Sequence, residues 1–154
     1  MKIVFAVAIY NVSSPQRLVD VARLVYGCNI TDMLVVVRPT GMAAQVGLPE
    51  VSKLAYRRSK KLLVLASAQE LHEILPGRRL IFIVHGVSGV SYLEDTELKG
   101  DEVIVVHGGD GTFTRSELAL GEAFTLKGFE ELQNPVADVA ITLYHLITRG
   151  RVGE

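Results

Sequence analysis

The chain has 154 residues, which suits one folded domain, and we expect a single domain over residues 1–154. Lys and Arg number 16 against 17 Asp and Glu, so the net charge is -1, which excludes a strongly cationic protein that coats nucleic acid indiscriminately. A single cysteine, Cys28, excludes an intrachain disulfide, and no apolar run is long enough to cross a bilayer, so we expect a cytoplasmic protein without a membrane partner.

Strand-like and helix-like segments alternate along the chain. Short apolar runs predict strands, which are Lys2–Tyr10, Met33–Val37, Leu62–Ala66, Leu80–Val84, Val103–Val106 and Ala123–Leu126. Capping residues and helical spacing predict helices, which are Pro15–Gly27, Glu50–Ser59, Ala68–Leu75 and Asn134–Thr148. This alternation is typical of an α/β fold with a mostly parallel sheet covered by helices on both faces. Ligands of such sheets lie beyond the carboxyl ends of the strands.

A glycine-rich loop, Gly108-Gly109-Asp110-Gly111-Thr112, follows the strand Val103–Val106. Glycines at such a place let a ligand approach backbone N–H groups, and Asp110 would accept hydrogen bonds from ribose hydroxyls or from the backbone. The alternative is a tight turn without a ligand, in which Asp110 caps the next segment. The string is also similar to the GGDGT signature of NAD kinases and diacylglycerol kinases, in which it serves a nucleotide phosphate. Those kinases need a second domain, and about forty residues after the motif are too few for one.

Two motifs in the last half of the chain, the segment from Val103 to Gly111 and the segment from Phe124 to Tyr144, are similar to those of the SPOUT superfamily of RNA methyltransferases, the SpoU/TrmD-like proteins. The strand Val103–Val106 and the turn Gly108–Gly111 resemble the second family motif, with Asp110 in place of the usual glutamate. The string 124–128 followed by the helix that begins at Asn134 and reaches Tyr144 resembles the third motif without a gap. The chain is therefore identified as a minimal single-domain member of this superfamily.

The first family motif matches only in outline. Asn11, the helix from Pro15, and Tyr26-Gly27 follow its order, but Val21 occupies the position of the catalytic arginine. Arg17 lies one helical turn earlier on the same face. Leu132 occupies the position of the serine that precedes the asparagine of the third motif.

The resemblance implies a trefoil knot at the C-terminal part of the sheet and S-adenosylmethionine as the cofactor. It implies an RNA methyltransferase acting on tRNA or rRNA, at the ribose 2′-oxygen or a base. The alternatives are a SPOUT-fold protein that binds S-adenosylmethionine and RNA without catalysis, and a nucleotide-phosphate-binding protein like the kinases. The implied catalytic residues are Asn11, Arg17 and Asn134. The implied cofactor-binding residues are Val84, His85, Gly86, Val106, His107, Gly108, Gly109, Asp110, Gly111, Leu126, Lys127, Gly128 and Leu132.

Histidines and basic residues complete the candidates. His85 and His107 each follow a buried strand, so we expect them to face one crevice as loop or cofactor contacts; two histidines and Asp110 are too few for a zinc site, and we predict no metal. A dense basic cluster would contact RNA; its residues are Arg57, Arg58, Lys60 and Lys61. The alternative is a solvated helix end, and no aromatic platform for stacking bases is evident from the sequence. SPOUT proteins dimerise through the knot region, so the resemblance also implies a homodimer.

Overall fold

Seven strands form one parallel sheet in the computed structural model, which describes residues 4–109, 111–131 and 133–149. The strands are β1 (Phe5–Tyr10), β2 (Thr31–Val37), β3 (Lys61–Leu65), β4 (Leu80–Ile83), β5 (Ser91–Tyr92), β6 (Val103–His107) and β7 (Glu122–Thr125). Their order across the sheet is β3-β2-β1-β6-β4-β7-β5, and every pair is parallel. β1 and β6 are buried along their whole length because the side chains on both of their faces pack into an apolar core, which explains their mainly apolar composition.

Five α-helices connect and cover the strands. They are α1 (Pro15–Gly27), α2 (Leu48–Arg58), α3 (Glu70–Ile74), α4 (Arg115–Leu118) and α5 (Pro135–Thr148). Ser14 caps α1 by accepting a hydrogen bond from the Arg17 N–H, and Asn134 caps α5 in the same way with the N–H groups of Val136 and Ala137. Among the described residues, no helix is long and apolar enough to cross a membrane.

The helices bury an apolar core on each face of the sheet. On one face α1, α2 and α5 pack on a core that includes Ile9, Leu34 and Val106. On the other face the core includes Phe82, Val105 and Phe113, with Leu71 of α3 packed into it. Alternate residues of each strand face the two cores, as the two-residue period of a strand requires. The predicted α/β fold, with a mostly parallel sheet and helices on both faces, is confirmed; the trefoil knot stays a prediction.

The element boundaries differ from the sequence-based ones by a few residues, and four short elements were not expected. The structure adds β5, α4, a π-helical turn, Ala43–Gly47, in front of α2, and a 3-10 turn, Leu93–Asp95, directly after β5. β5 has only two residues, so it has no apolar run from which to predict it. α3 is shorter than the predicted helix, since Pro76 follows its last turn closely.

Candidate functional site

Three loops meet beyond the carboxyl ends of β4, β6 and β7. The third loop, 126–134, is bound to both of the others. It holds the loop after β4 through the Gly86 N–H, which donates to the Glu130 carbonyl at 2.7 Å. It holds the loop after β6 through the Gln133 side-chain amide, which donates to the carbonyls of Gly109 at 2.5 Å and Gly111 at 3.0 Å. The three loops form one continuous rim at the edge of the sheet where open α/β sheets bind ligands.

A cavity of about 290 Å³ opens between these loops. Its lining combines apolar and polar groups and consists of Val84, His85, Gly86, Val87, Thr112, Phe113, Leu118 and Gln133. Small-molecule sites are of this kind, with mainly apolar walls and a few placed polar groups, and they begin at roughly 300 Å³. Gly86 has a φ of +69°, a conformation that side chains with a Cβ rarely adopt, so the loop bends sharply beside the cavity.

Gly108 lets the β6 loop approach β1 closely. A Cβ at Gly108 would lie 2.6 Å from the Val12 Cβ and 2.9 Å from the Val12 Cα. The Gly108 N–H donates to the Tyr10 carbonyl at 2.7 Å, so the loop continues the sheet pairing past the end of β6. The first glycine of the motif thus has a packing role. Gly109 is less restricted, since its Cβ would meet the Asn11 carbonyl at 3.2 Å.

His85 connects two of the loops to α5 through a buried ion pair. Its Nδ1–H donates to the Phe129 carbonyl at 2.6 Å, and its Nε2–H faces both carboxylate oxygens of Asp138 at 2.9 and 3.0 Å. Both side chains are 3% exposed. Hydrogen bonding to Asp138 raises the pKa of His85 above its ordinary value, against the opposing effect of burial, with smaller contributions from the Asp138 charge and the Phe129 carbonyl. Because both ring nitrogens face acceptors, the imidazolium form fits this arrangement.

His107 lies on the opposite face of the sheet. The register pairs Phe82 with Val105, so His107 is at the level of Val84 and shares its face of the sheet. His85 follows Val84 directly, and successive residues of a strand point to opposite faces. Burial lowers the pKa of His107, and its Nδ1 accepts a hydrogen bond from the Gly109 N–H at 3.1 Å. Its ring packs edge-on against Phe113, with centroids 5.1 Å apart. The expectation that both histidines face one crevice is therefore wrong, because the strand register turns them to different cores.

The three predicted catalytic residues lie at this edge of the sheet without converging on one point. Asn11 has a φ of +59° and joins β1 to α1. Arg17 is half-buried in the first turns of α1. The Asn134 side chain is used as the α5 cap, at 3.0 and 3.2 Å from two backbone nitrogens. Their catalytic roles stay predictions.

The remaining predicted cofactor residues are divided between the core and the surface. Val106 and Leu126 are fully buried in the core under α1 and α5. Lys127 points outward and forms an ion pair with Asp95 at 2.8 Å. Gly128 has a φ of +84° and turns the third loop. Asp110 and Leu132 were also predicted, and both lie outside the described residues.

The basic cluster Arg57, Arg58, Lys60 and Lys61 lies at the other edge of the sheet from the cavity. α2 runs antiparallel to the strands, so its end and the first residue of β3 are at the amino ends of the strands. β3 is also an edge strand, four places from β4, which is about 19 Å at roughly 4.8 Å per strand. The cluster therefore cannot contact a ligand in the cavity.

Sequence reasoning missed a second cavity, of about 350 Å³, at the carboxyl ends of β1, β2 and β3. Tyr10, Arg38 and Glu117 meet there. The Arg38 Nη1 donates to the Tyr10 hydroxyl at 3.4 Å, and burial together with a hydrogen bond to Glu117 raises the pKa of Tyr10. The available signal was Arg38 itself, a charged residue directly after a buried strand.

The described residues offer no cluster for a divalent metal. Metal-dependent phosphodiester cleavage uses carboxylates grouped around one or two cations. Within the described ranges, no three His, Cys, Asp or Glu side chains are placed to share an ion. Asp138 is already paired with His85, and Glu117 accepts from the Thr114 N–H in the cap of α4. These residues do not fit a metal-dependent nuclease centre.

Known sequences that are similar to this chain carry nuclease names. The family model described as "RecB-family nuclease (DUF2122)" matches residues 41–145. A protein of Aeropyrum pernix is 34% identical over 150 residues, which cover 95% of this chain and 94% of that protein. A protein of Methanocaldococcus jannaschii is 26% identical over 115 residues, 75% of this chain and 78% of that one. Both are named "Putative type II restriction enzyme", as ApeKORF2002P and MjaORF1200P.

Solved structures with a similar fold include methyltransferases. A chain from "Structural insights into the 2-OH methylation of C/U34 on tRNA" has a TM-score of 0.75 and 18% identity, and covers 96% of this chain and 98% of its own. The SpoU methyltransferase AviRb from Streptomyces viridochromogenes, in complex with the cofactor AdoMet, has a TM-score of 0.76 and 12% identity. That match covers 99% of this chain and 63% of AviRb. At these identities the likeness shows a common fold.

These findings correct the functional prediction drawn from the resemblance. The prediction of an S-adenosylmethionine-dependent RNA methyltransferase is wrong, because the family model and both sequence relatives carry nuclease names. The resemblance was right about the fold, which is that of the SpoU methyltransferases. A fold carries many unrelated activities, which is why the motif match could identify one without the other.

Proposed function

The chain belongs to the DUF2122 family, described as RecB-family nucleases, and from this premise and the geometry of the three loops we propose a nucleic-acid-binding protein that holds an adenosine-bearing ligand. S-adenosylmethionine is the first candidate for that ligand. The observation that carries the proposal is the cavity of about 290 Å³ enclosed by the three joined loops. It lies at the carboxyl edge of a sheet that AviRb, solved with AdoMet, shares.

The lining of the cavity suits such a ligand. Val84, Val87 and Phe113 supply apolar walls for a purine ring. Thr112 and Gln133 supply polar groups for ribose hydroxyls or ring nitrogens. The sulfonium of S-adenosylmethionine carries a transferable methyl group when the ligand is bound, but the proposal concerns binding alone.

Nucleic acid is the partner that both kinds of relative have in common. The sequence relatives are named restriction enzymes, and the neighbouring structures are described as acting on tRNA or as RNA methyltransferases. We therefore propose nucleic acid as the partner of this chain, without a reaction upon it.

Phosphodiester cleavage is the second candidate, because the family description and both sequence relatives name it. The geometry supports it less, because the described residues do not gather the carboxylates that a catalytic cation needs. This second candidate therefore rests on the names of the relatives and on no arrangement of side chains in the described part of the chain.

Calorimetric titration tests the ligand proposal. S-adenosylmethionine is expected to bind the purified chain and to lose at least about tenfold in affinity in Val87→Trp, since the larger ring fills the cavity from a position that is 50% exposed. Val64→Trp is the matched control, because Val64 is also 50% exposed but lies on β3, away from the loops.

Two results would contradict the proposal. One is the absence of heat with S-adenosylmethionine, and the other is an equal loss of affinity in both valine variants. Cleavage of DNA or RNA that depends on added Mg²⁺ or Mn²⁺, in the same preparation without ligand binding, would favour the second candidate.

We also propose a homodimer formed through the outer face of α5. Tyr144 and Ile147 lie three residues apart on that face and are 69% and 40% exposed. A contiguous exposed apolar face on a helix is typical of an interface.

Ile147→Glu is expected to convert a dimer to a monomer in sedimentation velocity at micromolar concentration. Ile74→Glu, at a 47% exposed site on α3, should leave it unchanged. A monomeric wild-type chain would overturn this proposal.

A further inference from the structure

We propose that the outer face of α2 is a binding surface for single-stranded nucleic acid, on which Tyr56 stacks against a base while the surrounding basic side chains contact phosphates. The inference rests on the proposed function in its choice of partner, and it adds the surface, the strandedness and the residue that contacts the base. We call this surface the α2 patch, and it consists of Ser52, Lys53, Tyr56, Arg57, Arg58 and Lys60.

Tyr56 is the most exposed large hydrophobic residue among the described ones, at 87% of its surface. α2 buries its other side, through Val51 and Ala55, so the ring points fully away from the core. Ser52, Lys53 and Arg57 form a shallow groove around it. A free aromatic ring beside an open groove presents both a flat face for stacking and room for the stacked group.

The charge around the ring has one sign. Residues 52–61 contain five basic side chains and no acidic ones, while the whole chain carries 16 basic and 17 acidic residues. The rest of the chain therefore carries 11 basic and 17 acidic residues, a net charge of -6. A local positive field on an otherwise acidic protein complements a phosphate backbone.

These cations are available to a ligand. Lys61 is paired with Asp32 at 3.3 Å, but within the described residues the four basic side chains of the α2 patch have no ion-pair partner. Lys53 and Arg57 lie one helical turn apart, on the side of the helix next to Tyr56. Ser59 ends the helix with a φ of +54°, which turns Lys60 out of the helical spiral. The cations thus border the ring on both sides.

The exposed ring favours an unpaired strand over a duplex. In a duplex the faces of the bases are covered by their neighbours, whereas a single strand leaves a face open for an aromatic side chain. The α2 patch also lies at the opposite edge of the sheet from the cavity, as the register of β3 with β2 shows. It therefore holds the nucleic acid and does not take part in binding the small ligand.

Fluorescence anisotropy with a fluorescein-labelled twelve-nucleotide oligo-uridine, its oligo-thymidine counterpart and a twelve-base-pair duplex tests the inference on the full chain. Tyr56→Ala is expected to weaken single-strand binding about 5- to 150-fold, the usual range for one stacked base. Tyr56→Phe should bind like the wild type because it keeps the ring. Arg57→Ala should reduce the slope of log affinity against log salt by about 0.7, the value for one phosphate contact to a single strand.

Arg23→Ala is the control, because Arg23 is an exposed arginine on α1, outside the α2 patch. The proposal would be overturned if Tyr56→Ala bound like the wild type, if the Arg23 and Arg57 variants had the same salt slope, or if the duplex bound more tightly than either strand. Thermal melting followed by circular dichroism confirms that the variants fold. The assay contains no S-adenosylmethionine and the calorimetry contains no oligonucleotide, so failure of one proposal is distinguishable from failure of the other.

Discussion

Replacement of Asp138 by alanine is expected to lower the free energy of unfolding by about 3–5 kcal/mol, the usual cost of leaving a buried charge without its partner. His85 and Asp138 are both 3% exposed, so water cannot replace the lost carboxylate. His85 would then either remain charged without a counter-ion or lose its proton. In both cases the link between the β4 loop, the third loop and α5 is weakened, because among the described residues the ring keeps the Phe129 carbonyl alone as an acceptor.

The pH dependence of this stabilisation has a defined sign. The pKa of His85 is raised in the folded protein above its value of about 6.5 in the unfolded chain, chiefly by hydrogen bonding to Asp138. The stabilisation is therefore fully present below about pH 6.5 and is lost as the pH rises through the raised folded-state pKa. Burial lowers the pKa of His107, so the titration of His107 changes the stability with pH in the opposite direction. Because His107 is present in both proteins, the difference in the free energy of unfolding between wild type and Asp138→Ala isolates the contribution of the pair.

Urea unfolding from about pH 5.5 to about pH 9 measures this difference. Asp95→Ala is the matched control, because the ion pair of Asp95 with Lys127 is exposed and should be worth about 1 kcal/mol or less. A loss in Asp138→Ala as small as that in Asp95→Ala, or a loss that grows with rising pH, would contradict the buried ion pair.

The second large effect is expected for Gly108→Ala, which should lower the free energy of unfolding by about 1–3 kcal/mol through overpacking. The added methyl group would lie 2.6 Å from the Val12 Cβ and 2.9 Å from the Val12 Cα, and Val12 is fully buried and cannot rotate away. Since the β6 loop must shift to relieve the contact, the affinity for S-adenosylmethionine should fall as well.

Gly27→Ala is the control for this prediction, because a Cβ there meets nothing within 4 Å at the end of α1. Its free energy of unfolding in urea is expected to equal or exceed that of the wild type by up to about 1 kcal/mol, since alanine favours a helix more than glycine does. Equal stability of Gly108→Ala and Gly27→Ala would show that the β6 loop is not held against β1 as the structure describes.

The sheet could be predicted from the sequence because strands that are buried on both faces have apolar residues at nearly every position. β1 is hydrophobic along its whole length and β6 is a run of Val and Ile up to His107, and Ser14 and Asn134 mark the helices that they cap. Gly108 was also singled out from the sequence as a place where the backbone needs glycine, although the observed reason is its close packing against Val12.

What could not be predicted depends on which strands become neighbours. The basic residues within 57–61 were predicted to contact RNA, and that stays a prediction, but their distance from the three loops follows only from the strand order, which places β3 at an edge and its first residue at the amino end. His85 and Asp138 are 53 residues apart in the chain, so no local pattern joins them. Tyr56 was overlooked because an aromatic residue within a helix usually belongs to the core, and only its 87% exposure shows otherwise.

The central claim is that the three joined loops bind an adenosyl ligand, and a ¹H–¹⁵N correlation spectrum recorded during titration with S-adenosylmethionine tests it most directly. We expect saturable shifts of the amide signals in residues 84–89, 107–113 and 126–134, with those of α2 unchanged. A spectrum without saturable changes, or with changes confined to α2 and the amino ends of the strands, would contradict the claim.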